Sequence, residues 1–408
     1  MTTEKQASET GPLSGIKILD LTLALAGPLS TQRLADMGAN VIKVEEPKRG
    51  DFTRTSPMAG IFLNGETIPY LSLNRNKRAL AIDLKNTQGK EVLLELVRKA
   101  DVVVQNFRPG VAERLGISYE ELKAIKPDII YLSISGYGSK GPMVKRPGQD
   151  LLVQCFSGMV GHAGAHDHGP HPSPVYLVDV TTSHLASEGI LAALLQRART
   201  GEGCHVEVSL LGAALELQLQ ELMTYMSTGR RPLRSKAPYA SVWMEPPYGT
   251  YKVKNGYVAI AQSDLKVIAG VIQSDDLLGL AGQRPVDTLP AEMQTWRDKV
   301  YILLAEKLVV WNRDELVAAL TEKEVWCGPV LDMEETIKHP QCAGMFAEMH
   351  HETAGKILGV APNIHFSNVQ NQPLRAAPKL GQHSTEILLE VGIKPEVVSQ
   401  LRRDKVIL

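Results

Sequence analysis

The chain has 408 residues, of which 44% are hydrophobic and 22% are charged, and its formal net charge is −1. This composition is typical of a globular protein with a large buried core and enough length for two domains. The near-neutral charge excludes any strong electrostatic signal for a nucleic-acid or membrane-surface partner.

The cysteine pattern and the N-terminal segment indicate a cellular compartment. Cys155, Cys204, Cys327 and Cys342 form no CxxC pair, and no apolar run approaches the ~20 residues that span a bilayer. Residues 1–12 are polar, lack the apolar core of a signal peptide and are predicted to be a disordered tail. We therefore expect a soluble, cytoplasmic protein with reduced thiols.

The N-terminal part of the chain alternates between strand and helix patterns. Apolar runs rich in β-branched residues predict strands over residues 15–22, 39–47, 78–84, 101–107 and 127–138. Helical spacing predicts helices over residues 25–38, 86–100 and 118–126, the last with a capping box of Ser118 and Glu121. Repeated strand–helix–strand units favour a parallel sheet, so we predict a doubly wound, Rossmann-like α/β domain.

The second half of the chain predicts a smaller domain inserted into the first. A long helix beginning near Asp179, a strand over 204–210 and a helix over 210–228 complete the N-terminal part of the large domain. A hairpin with Asn-Gly at its turn follows over 249–262, then helical segments. The predicted limits are 12–228 and 340–408 for the large domain, 233–330 for a small α+β domain, and 229–232 and 331–339 for linkers.

Several common cofactor motifs are absent from the sequence. No GxGxxG follows the first strand, and there is no GxxxxGK[ST], HExxH or GxSxG. The sequence therefore lacks the glycine-rich loops that usually bind the phosphates of dinucleotides and of P-loop nucleotides. This disfavours a nicotinamide-dependent oxidoreductase.

Four histidines raise the alternative of a metal site. His162, His166, His168 and His171 lie in GHAGAHDHGPHP. No cysteine or acidic partner recurs at metal-ligand spacing, so we interpret the segment as a polar loop of solvated histidines. We predict no metal and no tightly bound cofactor.

Asp179 is the residue whose local pattern allows a chemical role. It ends an apolar stretch and directly precedes a predicted helix in YLVDVTTSHLASEGILAALL. An aspartate there could simply be the N-cap. A helix N-terminus also favours an ionised carboxylate, which could attack an activated acyl group. Arg108 and Arg114 follow a strand end, where they could bind phosphates or lie on a solvated helix face.

In this order and spacing, seven segments resemble the class III (CaiB/BaiF-type) CoA-transferases, the family of formyl-CoA transferase and carnitine CoA-transferase. The resemblance covers nearly the whole chain. The segments are LSGIKILDLTLALAGPLSTQRLADMGANVIKVEEP, NRNKRALAIDLK, ADVVVQNFRPGVAERLG, IIYLSISGYGSKGP, LVDV followed by GILAALLQRARTGEGCHVEVSLL, GPVLDMEETIKHPQ, and APKLGQHSTEILLEVG.

The resemblance implies an assembly and a reaction. Family members have a large domain built from both chain ends, a smaller inserted domain, and an interlocked dimer of ring-like chains. Asp179 would be the covalent nucleophile, forming an aspartyl anhydride and then an aspartyl-CoA thioester. Coenzyme A would be a substrate, and the partners would be an acyl-CoA, a carboxylic acid and a second copy, or a related chain in a hetero-oligomer.

The resemblance also implies a set of coenzyme A contacts beyond the carboxyl ends of the strands. By position they are Leu25, Ala26, Ile82, Lys85, Asn106, Phe107, Arg108, Arg114, Ser135 and Tyr137. Phe107 would lie near the nucleotide, and Arg114 would meet a phosphate.

Departures from the family pattern bear on the substrate. Formyl-CoA transferase has a histidine and a glutamine where this chain has Leu23 and Leu25, and its glycine-rich loop has no counterpart in YASVWMEPPYGTY. Ser183 replaces the glycine usual four residues after the catalytic aspartate. These changes argue against an oxalate or formyl substrate and favour a bulkier acyl group, such as a dicarboxylate or substituted succinate with succinyl-CoA as donor.

Two rival functions stay open at this point. An α-methylacyl-CoA racemase would pair the aspartate with a histidine in a GHD-like motif, but this chain has PGQD, and Gln149 cannot act as a general base. The other rival is a non-catalytic CoA-binding subunit that supports a related chain. The retained Asp179 argues against it.

Overall fold

The computed structural model describes residues 11–237, 239–286, 290–367, 369 and 374–408, so most of the predicted tail lies outside the described residues. By packing, the chain divides into two compact units. The first holds the described residues of Met1–Val153, Tyr176–Leu217 and Ala343–Leu408. The second holds those of Gln154–Val175 and Gln218–Cys342. These limits differ from the predicted domain limits at 154–175, 218–228 and 340–342, and the domains themselves stay a prediction.

The strands and helices follow each other in the predicted alternation. The strands are β1 (Lys17–Asp20), β2 (Asn40–Glu45), β3 (Phe62–Leu63), β4 (Glu66–Thr67), β5 (Arg78–Ala81), β6 (Val102–Gln105), β7 (Ile130–Ser135), β8 (His205–Ser209), β9 (Gly249–Val253), β10 (Gly256–Ile260), β11 (Cys327–Pro329), β12 (Phe346–His351) and β13 (Gly355–Val360). The helices are α1 (Ala26–Asp36), α2 (Ile68–Leu73), α3 (Thr87–Lys99), α4 (Val111–Leu115), α5 (Tyr119–Ile125), α6 (Asp150–Phe156), α7 (Leu177–Thr200), α8 (Leu210–Glu216), α9 (Leu219–Thr228), α10 (Leu265–Val271), α11 (Asp275–Gly282), α12 (Pro290–Leu308), α13 (Arg313–Glu322), α14 (Met333–Lys338), α15 (Ser384–Glu390) and α16 (Pro395–Arg403). Short 3₁₀ turns lie at Phe52–Arg54, Met58–Gly60, Met159–His162 and Pro340–Cys342.

A six-stranded parallel sheet forms the centre of the first unit and confirms the α/β prediction. Its strand order is β5-β2-β1-β6-β7-β8. From β1 the chain first builds outward through β2 to β5, then returns to the other side of β1 with β6. The order therefore reverses between β1 and β6. Open α/β sheets bind ligands at such a switch point, beyond the carboxyl ends of the strands.

Helices cover both faces of this sheet, as the doubly wound prediction requires. On one face Leu19, Leu80 and Val103 pack in a core with α3, α15 and α16. On the other face α1 and α7 pack against each other, and α7 also packs against β7 and β8. The two faces bury successive residues of each strand, because side chains along a strand alternate in direction.

A buried ionic network joins the end of β1, the middle of β2 and the residue that precedes β5. Asp20 and Lys77 are completely buried at the side chain, and Lys77 Nζ lies 2.8 Å from Asp20 Oδ2. Lys43 Nζ lies 3.1 Å from Asp51 Oδ2 and donates to the carbonyl of Thr22 at 2.8 Å. Burial alone would raise the pKa of Asp20, but the charges of Lys77 and Lys43 hold it well below its usual range. Asp20 therefore stays ionised in the core.

The second unit has its own core. The antiparallel sheet β11-β10-β9 packs with helices α10 to α13 around Tyr251, Val300 and Leu316. The predicted hairpin is present, with Val253 paired to Gly256 across its turn. Within the described ranges, no helix is both long and apolar enough to cross a membrane.

Several parts of the structure differ from the sequence predictions. The short elements β3, β4 and α2 lie between the predicted strands 39–47 and 78–84, where no element was predicted. The helix predicted over 210–228 is two helices, α8 and α9, which break at Leu217 and Gln218. The break has a tertiary cause, because the buried amide of Gln218 donates to both the carbonyl and the hydroxyl of Ser157. The hairpin of β12 and β13 lies in a segment for which the pattern predicted no strand.

The ionic network predicts a stability effect. Lys77→Met should lower the free energy of unfolding by about 3–5 kcal/mol, because it leaves Asp20 as a buried charge without its main partner. Urea unfolding followed by circular dichroism measures the change. Lys338→Met is the matched control: its pair with Glu334 is exposed, so the loss should stay below about 0.5 kcal/mol. Equal losses in the two variants would contradict the role of the network.

Candidate active site

Asp179 lies inside the first turn of α7, and not at the N-cap as the sequence suggested. The helix begins at Leu177, and its N-cap is Tyr176, whose side chain makes no capping hydrogen bond. Asp179 is therefore the third helical residue. The alternative in which Asp179 serves only as the N-cap does not hold, because the N-cap is Tyr176 and the backbone N–H of Asp179 is bound by another residue.

The first turn of α7 lies at the level of the carboxyl edge of the main sheet. The helix ends at Thr200 and the chain turns back into β8, so helix and strand run in opposite directions. Gly189 sits so close to the sheet that an added Cβ would lie 2.8 Å from Val206. Asp179 is ten residues earlier, about 15 Å along the helix axis. The carboxyl end of β8 lies about 10 Å from Val206 in the same direction, so the first turn of α7 reaches the level of that strand end.

Asp150 faces Asp179 at this helix terminus. Its carboxylate Oδ2 accepts a hydrogen bond of 2.9 Å from the backbone N–H of Asp179. Asp150 is 2% exposed, and Asp179 is half-buried. Burial and the nearby charge of Asp150 raise the pKa of Asp179 to about 7. The sequence analysis expected the helix N-terminus to favour the ionised carboxylate, whereas desolvation and the like charge of Asp150 raise its pKa.

The loop after β1 is held in place at the switch point by neighbouring side chains. The side-chain amide of Asn106 accepts from Leu23 N–H at 2.9 Å and donates to the Leu23 carbonyl at 2.7 Å. Ala24 has a left-handed φ of 69°, which costs a residue with a Cβ roughly 1 kcal/mol. Its N–H points to Asp51 at 3.4 Å. The loop is thus fixed before any ligand arrives.

The residues predicted to contact coenzyme A all belong to the first unit and follow four strand ends. Leu25 and Ala26 follow β1, Ile82 and Lys85 follow β5, Asn106, Phe107, Arg108 and Arg114 follow β6, and Ser135 and Tyr137 end or follow β7. The ends of β1, β6 and β7 are adjacent, whereas β5 is separated from β1 by β2. The structure thus gathers most of the set around the switch point.

These residues differ in what they offer a ligand. Lys85, Arg108 and Arg114 are exposed cations, and the Arg114 guanidinium folds back toward Gly110. Ile82 is 1% exposed, and its N–H is bound by the carbonyl of Glu45, so its side chain belongs to the core. Only its backbone carbonyl could face a ligand. The remaining members are half-buried except for Ala26, which is buried.

The histidine-rich segment lies in the second unit. His162 packs edge-on against Trp243, and His166 pairs with its neighbour Asp167. His171 bonds the carbonyl of Gly169. Among the residues that the structure describes, no group of three or more His, Cys, Asp or Glu side chains is arranged to hold a metal ion.

The sequence analysis did not identify Asp150 as a residue of the site, although an aspartate at the start of a short apolar helix is a recognisable signal. Asn106 was predicted from the family resemblance as a coenzyme A contact, and the structure adds that its side-chain amide holds the backbone of Leu23. A contact between residues 83 positions apart leaves no periodic trace in the sequence.

The chain is similar to known proteins over nearly its whole length. The sequence model for "CoA-transferase family III" matches residues 13–384. The succinyl-CoA:glutarate CoA-transferase of Homo sapiens is 34% identical over 382 residues, 93% of this chain and 86% of that protein. The succinyl-CoA–L-malate CoA-transferase alpha subunit of Chloroflexus aurantiacus is 31% identical over 414 residues, 100% of this chain and 95% of that protein. A crystal structure of a CAIB/BAIF family protein from Brucella suis has a TM-score of 0.79 at 32% identity, covering 94% of this chain and 100% of that chain.

Proposed function

The chain belongs to CoA-transferase family III, and we propose that it moves coenzyme A from succinyl-CoA to a dicarboxylate or substituted succinate through covalent intermediates on Asp179. The family resemblance predicted from the ordered sequence segments is confirmed, as is the prediction of a CoA-transferase. The donor, the acceptor and the role of Asp179 are the proposal. The observation that carries it is a half-buried carboxylate with a pKa of about 7 on the first turn of α7.

The proposed reaction consists of four acyl exchanges. The Asp179 carboxylate attacks the thioester carbonyl of the donor, the C–S bond breaks, and a mixed anhydride and coenzyme A thiolate result. The thiolate attacks the aspartyl carbonyl, which forms aspartyl-CoA and releases the donor acid. The acceptor carboxylate then attacks this thioester, which expels the thiolate and leaves a second mixed anhydride, between Asp179 and the acceptor. The thiolate finally attacks the acceptor carbonyl of this anhydride, which forms the acceptor's CoA thioester and regenerates the Asp179 carboxylate.

The environment of Asp179 suits this sequence of steps. Every exchange trades one activated acyl group for another, so no nucleotide hydrolysis is needed. The protein supplies position and electrostatics. A carboxylate with a raised pKa is more basic and thus a better nucleophile, while about half of it is still ionised near pH 7.

Support for the substrate class comes from the first loop and from the relatives. Leu23 and Leu25 are half-buried beside the switch point and offer an apolar surface where a histidine and a glutamine would favour a small polar acyl group. Two proteins similar to this chain are named for succinyl-CoA, with glutarate or malate as the other acid. A four- or five-carbon diacid is therefore the acceptor we propose.

Asp179→Asn should abolish transfer, because the amide that replaces the carboxylate cannot attack the thioester. Acyl-CoA binding, measured by calorimetry, should persist. Treating the wild-type enzyme and acyl-CoA with hydroxylamine should leave a hydroxamate on Asp179, read by peptide mass spectrometry. Glu188→Gln, an exposed change on the same helix, is the control and should turn over normally. A trapped adduct on another residue would refute the nucleophile, and wild type without turnover or adduct would favour a non-catalytic subunit.

Arg114→Ala should raise the KM for the acyl-CoA about tenfold or more and change kcat little, because a phosphate contact far from the reacting carbonyl contributes uniform binding. Steady-state kinetics with varied acyl-CoA measures both constants. Arg98→Ala removes an exposed arginine from the C-terminal turn of α3 and serves as the control. An unchanged KM in the Arg114 variant would remove this residue from the coenzyme A site.

We also propose that the chain acts as a dimer with a second copy, the alternative being a related chain. Helix α9 has no buried residue, and Leu219, Met223, Tyr225 and Met226 on it are 50–75% exposed. Such an apolar surface is typical of one that a partner covers. Analytical ultracentrifugation should give twice the chain mass, and Met223→Glu with Met226→Glu should shift it to one chain mass. A monomeric wild type that dimerises only with a related chain would support the alternative.

A further inference from the structure

We infer that Asp150 is a positioning residue for Asp179: it holds the backbone of the nucleophile and places a second negative charge beside it. The inference rests on the proposed role of Asp179 as nucleophile. It assigns to Asp150 two separable effects, one through a hydrogen bond and one through charge. Each effect has a structural basis and a distinct experimental signature.

The hydrogen bond replaces a missing cap. The first N–H groups of any α-helix lack partners within the helix. In α7 the side chain of the N-cap residue, Tyr176, accepts no hydrogen bond from these N–H groups. The N–H of Asp179 is instead bound by the carboxylate of Asp150, which is 29 residues upstream and 2% exposed. A bond from a backbone N–H to a carboxylate is stronger than one to a neutral acceptor. Asp150 therefore fixes the backbone at the residue whose side chain must reach the thioester.

The charge effect arises because two carboxylates meet at one helix terminus. Other charged or titratable groups lie on α7 itself and on the elements packed against it: His184, Glu188, Arg197 and Arg199 on α7, Arg33 and Asp36 on α1, Tyr131 on β7, His205 and Glu207 on β8, and Glu216 on α8. Burial is the larger cause of the raised pKa of Asp179, and the charge of Asp150 is the second. Arg33 instead reaches Ser183, one turn further along, at 3.4 Å.

The repulsion between the two carboxylates changes during the proposed reaction. When Asp179 attacks, its negative charge leaves with the coenzyme A sulfur, and the anhydride and the thioester on Asp179 are both neutral. The repulsion by Asp150 is then relieved. It returns only when the free carboxylate is regenerated. Asp150 thus raises the energy of the resting carboxylate relative to each covalent intermediate, which favours attack.

The two effects can be separated with two substitutions. Asp150→Asn keeps an oxygen that can accept from Asp179 N–H but removes the charge. Asp150→Ala removes both. The readouts are kcat and KM as functions of pH and the amount of hydroxylamine-trapped adduct on Asp179. Glu188→Gln, which removes an exposed carboxylate from α7 itself, is the control.

In the wild type, kcat/KM should rise with pH through a midpoint of about 7, because only the ionised carboxylate attacks. Asp150→Asn should lower this midpoint by about one unit, since loss of the neighbouring charge favours ionisation. Its plateau kcat should fall about tenfold, the equivalent of one unit of basicity, with the KM for acyl-CoA nearly unchanged. Asp150→Ala should show the same midpoint and a further loss of kcat that Asn restores.

The outcomes distinguish this inference from the proposed function. An adduct on Asp179 together with an unchanged midpoint in Asp150→Asn would overturn the inference and leave the nucleophile in place. Absence of any adduct on Asp179 in the wild type would overturn the proposed function itself. If Asp150→Ala fails to fold by circular dichroism, the Asn variant still decides the charge effect. A kcat loss in Asn without a midpoint shift would mean a purely structural role and would refute the charge effect.

Discussion

The buried ion pair of Asp20 and Lys77 is the interaction on which the organisation of the first unit depends. Asp20 lies at the end of β1, and Lys77 directly precedes β5, two strands away in the sheet. Lys43 of β2 lies between these strands, and Thr31 of α1 donates to Asp20 at 2.6 Å. Three strands and a helix therefore share one set of charges. Removing one partner would leave the others buried without compensation, which is far more costly than losing a surface pair.

From this network, contacts extend to the proposed nucleophile through successive elements. Lys43 holds the Thr22 carbonyl, and Asn106 holds the next residue, Leu23, across the switch point. Helix α1 then packs against α7, where the Ser187 hydroxyl reaches the Ser30 carbonyl at 3.2 Å. The first turn of α7 is thereby set relative to the sheet edge at which coenzyme A is proposed to bind. Rigid supports of this kind reduce the cost of orienting a substrate.

Two aspartates in the same unit show how environment decides the role of a carboxyl group. Asp20 is buried among lysines, and its pKa stays well below the usual range. Asp179 is partly buried beside another carboxylate, and its pKa rises to about 7. The first remains charged and stabilises the fold. The second changes protonation near neutral pH, which suits a group that must repeatedly exchange its charge for an acyl bond.

The parallel sheet, the Asn-Gly hairpin, the capping box of Ser118 and Glu121, and the family could all be predicted from the sequence, because hydrophobic period, turn chemistry and ordered segments are local signals. The sequence also identified Asp179 as a candidate nucleophile, but it did not indicate which groups surround its carboxylate. Two features depend on tertiary contacts: Asp150 binds the first turn of α7, and the bond from Gln218 to Ser157 accompanies the break between α8 and α9. These interactions join residues far apart in the chain. Their effects depend on distance and burial, which periodic patterns do not encode.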